Sequence, residues 1–180
     1  MTLRERIELD AEALRRYFKR LFELIQELSD PTNQPEDESY VGDRTAFIRP
    51  DMASNIYSLV DFWLFHLADH HKGRGSLPLS HRDIRGNNDL DAYHKYLTKV
   101  ARLQLGGVKS SLTHLHNLRK VRKWLVHRGG HVEPQQKREL EAIPGVVVSG
   151  TLALLDDNFI WDSLKHAELY LYAVAEATPS

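Results

Sequence analysis

The spacing of apolar residues constrains this chain more than any other feature. Ile7, Ala11, Leu14, Phe18, Leu21, Ile25 and Leu28 recur at steps of three and four, the repeat that places side chains on one face of an α-helix. The pattern predicts an amphipathic helix over 3–29, stopped by Pro31, Asn33 and Pro35. The acidic stretch that follows, to about Arg49, reads as loop. Met52, Ile56, Val60, Trp63 and Leu67 repeat the pattern as far as His70, with Pro50 suited to the first turn. Gly73, Gly75 and Pro78 then break this second helix. Asn87 and Asn88 offer N-caps for a third helix carrying Leu90, His94, Leu97 and Ala101. Gly106 and Gly107 separate it from a fourth helix over about 108–128, which Gly129 and Gly130 close.

After residue 145 the period changes. Val146–Val148 and Thr151–Leu155 flank Ser149-Gly150, the signature of a short β-hairpin. Asp156 or Asp157 then caps a last helix bearing Phe159, Ile160, Leu164, Leu169, Leu171 and Val174. The expected fold class is therefore mainly all-α: an antiparallel bundle of four to five helices with a short hairpin before the last. At 180 residues and 42% hydrophobic, the chain suits one domain over 1–180. Within it, 1–30 forms the N-terminal helix, 31–49 the acidic loop and 50–178 the rest of the bundle.

Several function classes fall away at this level. There is no Cys, which removes disulfides, thiolate nucleophiles and Cys-ligated metal centres. No apolar run approaches the roughly 18 residues of a membrane span. The charged start MTLRERIELD predicts no secretory signal, so a cytoplasmic location is expected. The sequence holds no G-x-S-x-G elbow, no phosphate-binding G-x-x-x-x-G-K-[ST] loop and no G-x-G-x-x-G after a strand.

Charge is distributed unevenly. Lys and Arg total 24 against 25 Asp and Glu, yet no acid occurs from Ala92 to Val132. Lys95, Lys99, Arg102, Lys109, Arg119, Lys120, Arg122, Lys123 and Arg128 all fall in that stretch. A near-neutral protein with one basic element suggests an anionic ligand met at a site, although a solvated helix face has the same composition.

The fourth helix concentrates this charge. On a helical wheel Leu115, Leu118, Val121, Leu125 and Val126 share one sector and Arg122 projects into its middle. His116, Arg119, Lys120, Lys123 and His127 occupy the neighbouring polar side. A guanidinium among leucines needs a partner. That partner is either an anionic ligand or intersubunit groove, or an internal carboxylate such as Asp61 of the second helix. His127 lies in the last turn, where the helix dipole favours its protonated form and Arg119, Lys123 and Arg128 oppose it. Such a balance leaves an imidazole titrating near neutrality, as acid–base work requires, while a simple helix cap is the plainer role.

Arg122-Lys-Trp-Leu-Val-His127 matches the R-x4-H signature of the HEPN superfamily. The Gly129-Gly130 break, the hairpin at Val146–Leu155, the Phe159-Ile160 pair and the final helix also resemble that family. The second helix, Asn55 to Asp61, is similar to its early helix, where an acidic residue often lies close to the motif. The likeness covers about residues 48–176. In one respect the chain departs from the pattern: Lys123 stands where the family commonly has Asn.

The resemblance implies a metal-independent endoribonuclease without cofactor, often a toxin or phage-defence effector. In that family two motifs of a homodimer, packed through the motif helices, form one site on RNA. Arg122 and His127 would be catalytic, Lys123, Arg119, Arg128 and Lys120 would bind flanking phosphates, and Asp61 and His116 would support them. An antitoxin or other effector-system partner is implied, and no membrane. RNA carries its own nucleophile, the 2′-OH, so cleavage needs a base, an acid and positive charge at the phosphorane. Each chain offers a single His at this helix end, and two chains supply two.

Two other readings compete. A non-catalytic HEPN-like module that binds RNA or nucleotides, or only dimerises, accommodates Lys123. A metal site would use His66 and His70, spaced i,i+4, with His71 adjacent and Asp69 completing the set. His114 and His116, two apart, point in different directions. Tyr17 and Phe22 lie off the apolar stripe of the first helix, where they serve an interface or stand as scattered surface aromatics.

Overall fold

A computed structural model describes residues 1–30, 47–75 and 77–178; most of the expected acidic loop, 31–46, lies outside them. The chain is mainly helical, a bundle with a short hairpin before the last helix. Helix α1 spans Leu3–Ser29. Thr2 Oγ1 accepts from Glu5 N at 3.2 Å, and the Glu5 carboxylate accepts from Thr2 N at 2.7 Å. This reciprocal cap fixes the helix start. The predicted stripe faces inward, with Ile7, Ala11, Phe18 and Ile25 buried.

Helix α2 runs Ile48–Gly75 with Pro50 in its first turn, longer at both ends than the sequence suggested. Gly73 does not break it. A lone helical glycine costs only about 1 kcal/mol, and Lys72 and Arg74 in the last turn suit the helix dipole. Buried His71 also fastens this end to the C-terminus, its Nε2 lying 2.9 Å from Thr178 Oγ1.

Helix α3 spans Asp89–Lys95 and is capped by Asn88, whose side chain accepts from Asp91 N at 3.0 Å. It widens into a π-turn over Tyr96–Val100 instead of continuing to Ala101 as a regular helix. Helix α4, Lys109–Arg128, ends where Gly129 takes φ 57° and its N–H reaches back to the Trp124 carbonyl, a left-handed closure that glycine adopts freely. A short helix α5 follows at Pro134–Glu141, an element the sequence reading did not contain. Strands β1 (Val146–Ser149) and β2 (Leu152–Leu155) pair antiparallel, with Val146 opposite Leu155 and Ser149 opposite Leu152. Helix α6, Asp157–Ala177, is capped by Asp156, whose carboxylate accepts from Phe159 N at 2.7 Å.

Helix α6 is the hub, packed against α1, α2 and α4. Its Phe159, Ile160, Leu164, Tyr170 and Leu171 merge with Phe18, Ile56, Leu67, Tyr96 and Leu115 in one core. An Arg15–Glu168 ion pair joins α1 to α6, and Trp63 Nε1 donates to Asp10 at 3.0 Å between α2 and α1. Phe22, left off the apolar stripe by the wheel, turns inward and stacks on Trp161 with ring centroids 5.2 Å apart; Tyr17 stays exposed. The hairpin is tied to the exit of α4, Ala153 N donating to Gly130 O at 3.0 Å and Val132 N to Thr151 O at 2.7 Å. Among the described residues no helix is long and apolar enough to cross a membrane.

Candidate active site

Helix α4 packs against α6 and α2, so its inner face is committed, and a ligand can reach it at the edge beside α2, where a cavity opens. Leu115, Leu118 and Val121 are buried as expected, whereas Val126, assigned to the same apolar sector, is 56% exposed. Its neighbours Trp124 and Leu125 still pack against the core, so only the side of the turn that carries Val126 is uncovered. Arg122 sits on the α2 flank. Its guanidinium carbon stands 5.1 Å from the centroid of Tyr57, a cation–π contact, and its Nε is buried without a hydrogen-bond partner. Among the described residues it forms no ion pair, so the internal-carboxylate alternative for its partner, Asp61, is not realised as a direct contact.

Arg122 borders a cavity of about 330 Å³ shared with Tyr57, Asp61, Phe62, Phe65, Asp89 and Tyr93. Helix α2 supplies Tyr57, Asp61 and Phe65 at steps of four, a polar-aromatic stripe beside its core stripe. The capped start of α3 supplies Asp89 and Tyr93. Among the described residues neither carboxylate makes a hydrogen bond or ion pair, and neither tyrosine hydroxyl has a partner.

The electrostatics follow from this crowding. Asp61 titrates above the ordinary carboxylate range because one side of it is desolvated and Asp89 repels its charge, with Arg122 and His81 pulling the other way. Burial lifts the Tyr57 hydroxyl, helped by Asp61 and Asp89 and opposed by Arg119 and Arg122. Tyr93 is pushed up to about 12 by burial and by the same two carboxylates. Both phenols therefore remain protonated donors at neutral pH.

The remaining candidates divide among several environments. Arg119 lies near enough to favour Tyr57 ionisation and to oppose His116 protonation, so it shares the flank with Arg122. His116 is half-buried and titrates below its ordinary value, chiefly through burial, with Asp91 resisting that shift. Lys120 points to α5, where its Nζ meets Glu139 Oε1 at 2.5 Å. Lys123 is exposed. His127 and Arg128 stand in the last turn of α4, and their side chains lie outside the described residues. Five helical positions separate Arg122 from His127, about 140° around the axis and about 7.5 Å along it.

The histidines of the metal reading are dispersed. His66 packs its ring on Phe62 at 4.4 Å and lines a separate cavity of about 560 Å³ with Asp69 and His70. His70 Nε2 is buried without a partner, while His71 is engaged by Thr178. Among the described residues no three His, Asp or Glu side chains converge as a ligand set. His114 and His116 do diverge: His114 Nε2 lies 3.0 Å from Ser163 Oγ, on α6, and its ring stacks on His166 at 4.6 Å.

Sequence reasoning found Arg122 and Asp61 but not Tyr57, Phe62, Phe65, Asp89 or Tyr93. The visible signal was the second stripe of α2, Tyr57-Asp61-Phe65, which the core stripe overshadowed. Compared with models of known protein families, with curated proteins and with solved structures, the chain finds no match.

Proposed function

We propose that this protein is a HEPN-like, metal-independent endoribonuclease that cleaves RNA by attack of the 2′-OH, with Arg122 and His127 of two chains forming a composite site. The observation that carries this reading is Arg122 itself. A guanidinium held against Tyr57, with a buried Nε that has no partner and with no ion pair among the described residues, is a donor left open for an anion. It begins the R-x4-H string on α4, a 20-residue helix without an acidic residue.

The chemistry balances without a cofactor. A neutral His127 removes the 2′-OH proton and O2′ bonds to phosphorus. Charge then develops on the non-bridging oxygens, where Arg122 stabilises it. The 5′-oxygen departs with a proton from the His127 of the second chain, leaving a 2′,3′-cyclic phosphate and a 5′-hydroxyl. Arg119, Lys123 and Arg128 hold flanking phosphates, which makes affinity fall with salt; Lys120, engaged by Glu139, contributes after releasing it.

The apolar residues exposed around the exit of α4 support pairing through the motif helices. Val126 belongs to the last turn, and Val147, Leu152 and Leu154 form the outer face of the attached hairpin. A toxin or phage-defence role with an antitoxin partner follows from the family likeness. The exposed Lys123, in place of Asn, favours a second reading as a non-catalytic RNA- or nucleotide-binding module. End-group analysis of digested RNA separates the two: cyclic phosphate ends, lost when the scissile residue is 2′-deoxy, are expected. Cleavage indifferent to the 2′-OH refutes the mechanism, and binding without cleavage selects the module.

A further inference from the structure

We propose that the cavity beside Arg122 is a nucleobase subsite that selects guanine. The inference deepens the ribonuclease reading, because it names the base placed next to the phosphate that Arg122 would hold. Its foundation is an unusual concentration of unused groups. Asp61, Asp89, Tyr57 and Tyr93 line one cavity, and neither the two carboxylates nor the two hydroxyls have a hydrogen-bond or ion-pair partner among the described residues. Other carboxylates near α3 are engaged: Asp91 accepts from Asn87 N at 2.7 Å and pairs with Lys95 at 3.0 Å, and Asp83 holds Ser80. A fold that pairs its neighbouring acids leaves these two open.

The walls suit a flat ring. Phe62 is 51% exposed but not loose, since its ring meets Trp63 edge-on at 5.5 Å and His66 at 4.4 Å. Phe65 is braced by His81 at 5.4 Å. Aromatic faces of this kind stack any base, and about 330 Å³ is the small end of ligand pockets, with room for a nucleobase.

Selection comes from the polar groups. A carboxylate only accepts hydrogen bonds, and a protonated phenol can donate. Guanine presents two adjacent donors, N1–H and the N2 amine, beside the O6 acceptor, so a carboxylate meets the pair and a tyrosine hydroxyl meets O6. Adenine and cytosine offer one exocyclic amine next to a ring acceptor that a carboxylate repels. Uracil offers one donor between two carbonyls. The two carboxylates also repel each other in the empty cavity, and bound donors relieve that repulsion.

The test is calorimetric titration of the full-length protein with 5′-GMP and 5′-UMP, which needs no cleavage. GMP should bind about tenfold more tightly or better, the discrimination expected of a bidentate pair. Asp61→Asn and Asp89→Asn together should reduce the preference below about threefold, because each amide puts a donor NH2 where the carboxylate had its second acceptor oxygen. Phe62→Ala should weaken both nucleotides alike. Equal affinities, no binding of either nucleotide, or a preference untouched in the double Asn variant overturns the subsite. RNA cleavage sites mapped in parallel separate the two claims. Cutting without base preference rejects the subsite and leaves the ribonuclease. A GMP preference without cutting keeps the subsite and rejects the ribonuclease.

Discussion

Replacing Arg122 by Met should abolish RNA cleavage without destabilising the fold. The reasoning is a comparison of small terms. Met approximates the length of the Arg stem and leaves no polar atom where Nε now lies buried and unpartnered; such an orphan donor costs about 1–3 kcal/mol. Against this stands the contact with Tyr57 at 5.1 Å, worth about 0.5–2 kcal/mol and partly replaced by a thioether on the ring at about 0.3–1.5 kcal/mol. Asp61 loses a favourable neighbour, a small effect because Asp61 is exposed. The balance is neutral to about 2 kcal/mol stabilising. For a chain of this size that is a rise in Tm of up to about 8 °C. Urea and thermal unfolding followed by circular dichroism, with an RNA cleavage assay on the same preparations, measure both sides. A loss of more than about 2 kcal/mol in Arg122→Met would show that the guanidinium holds the helices together and is not reserved for a ligand.

Two further predictions concern the scaffold. Gly145→Ala should cost about 2–4 kcal/mol, read as a drop in thermal midpoint; φ is 78° there, and an added Cβ would fall 2.6 Å from Asp156 Oδ1 and 2.7 Å from Phe159 Cβ. Left-handed strain supplies about 1–2 kcal/mol, and displacing the Asp156 cap of α6 about as much again. Stability should also fall as pH drops from 7.5 to 5.5. His71, His81, His94, His114 and His116 all titrate below the ordinary histidine value, burial being the main cause in each. The unfolded chain therefore takes up protons near pH 6.5 while the native histidines stay neutral, and each proton bound only by the unfolded state weakens folding. Urea midpoints at the two pH values should show the fall, and His114→Gln should reduce it; a midpoint that rises on acidification contradicts the assignment.

Local rules made much of the fold legible. The three- and four-residue spacing in α1 is uninterrupted and Pro31 stops it, so the expected limits, 3–29, coincide with Leu3–Ser29. The hairpin was legible because Val and Leu runs flank Ser149-Gly150. Helix α5 was hidden: in PQQKRELE only Leu140 is buried, and one apolar residue sets no period. Gly73 misled because a lone glycine costs a helix only about 1 kcal/mol, and Lys72 and Arg74 in the last turn suit the helix dipole. Val126 misled because a wheel carries no information about which side of a turn the neighbouring elements cover, and Leu125 is covered where Val126 is not. The candidate site was legible on α4, where Arg122 stands out among leucines, and at Asp61 of α2. Its cavity depends on Asp89 and Tyr93 arriving from 30 or so residues away in sequence, and such long-range convergence leaves no periodic trace. Tyr57 and Phe65 read as ordinary helix residues until α3 is placed opposite them.

The central claim is that Arg122 and His127 cleave RNA with no metal. The most direct measurement is incubation of purified full-length protein with labelled RNA in excess EDTA, beside Arg122→Ala and His127→Ala variants whose circular dichroism matches the parent. The account predicts undiminished cleavage by the parent and none by either variant. Cleavage that stops in EDTA, or that survives both substitutions, contradicts it.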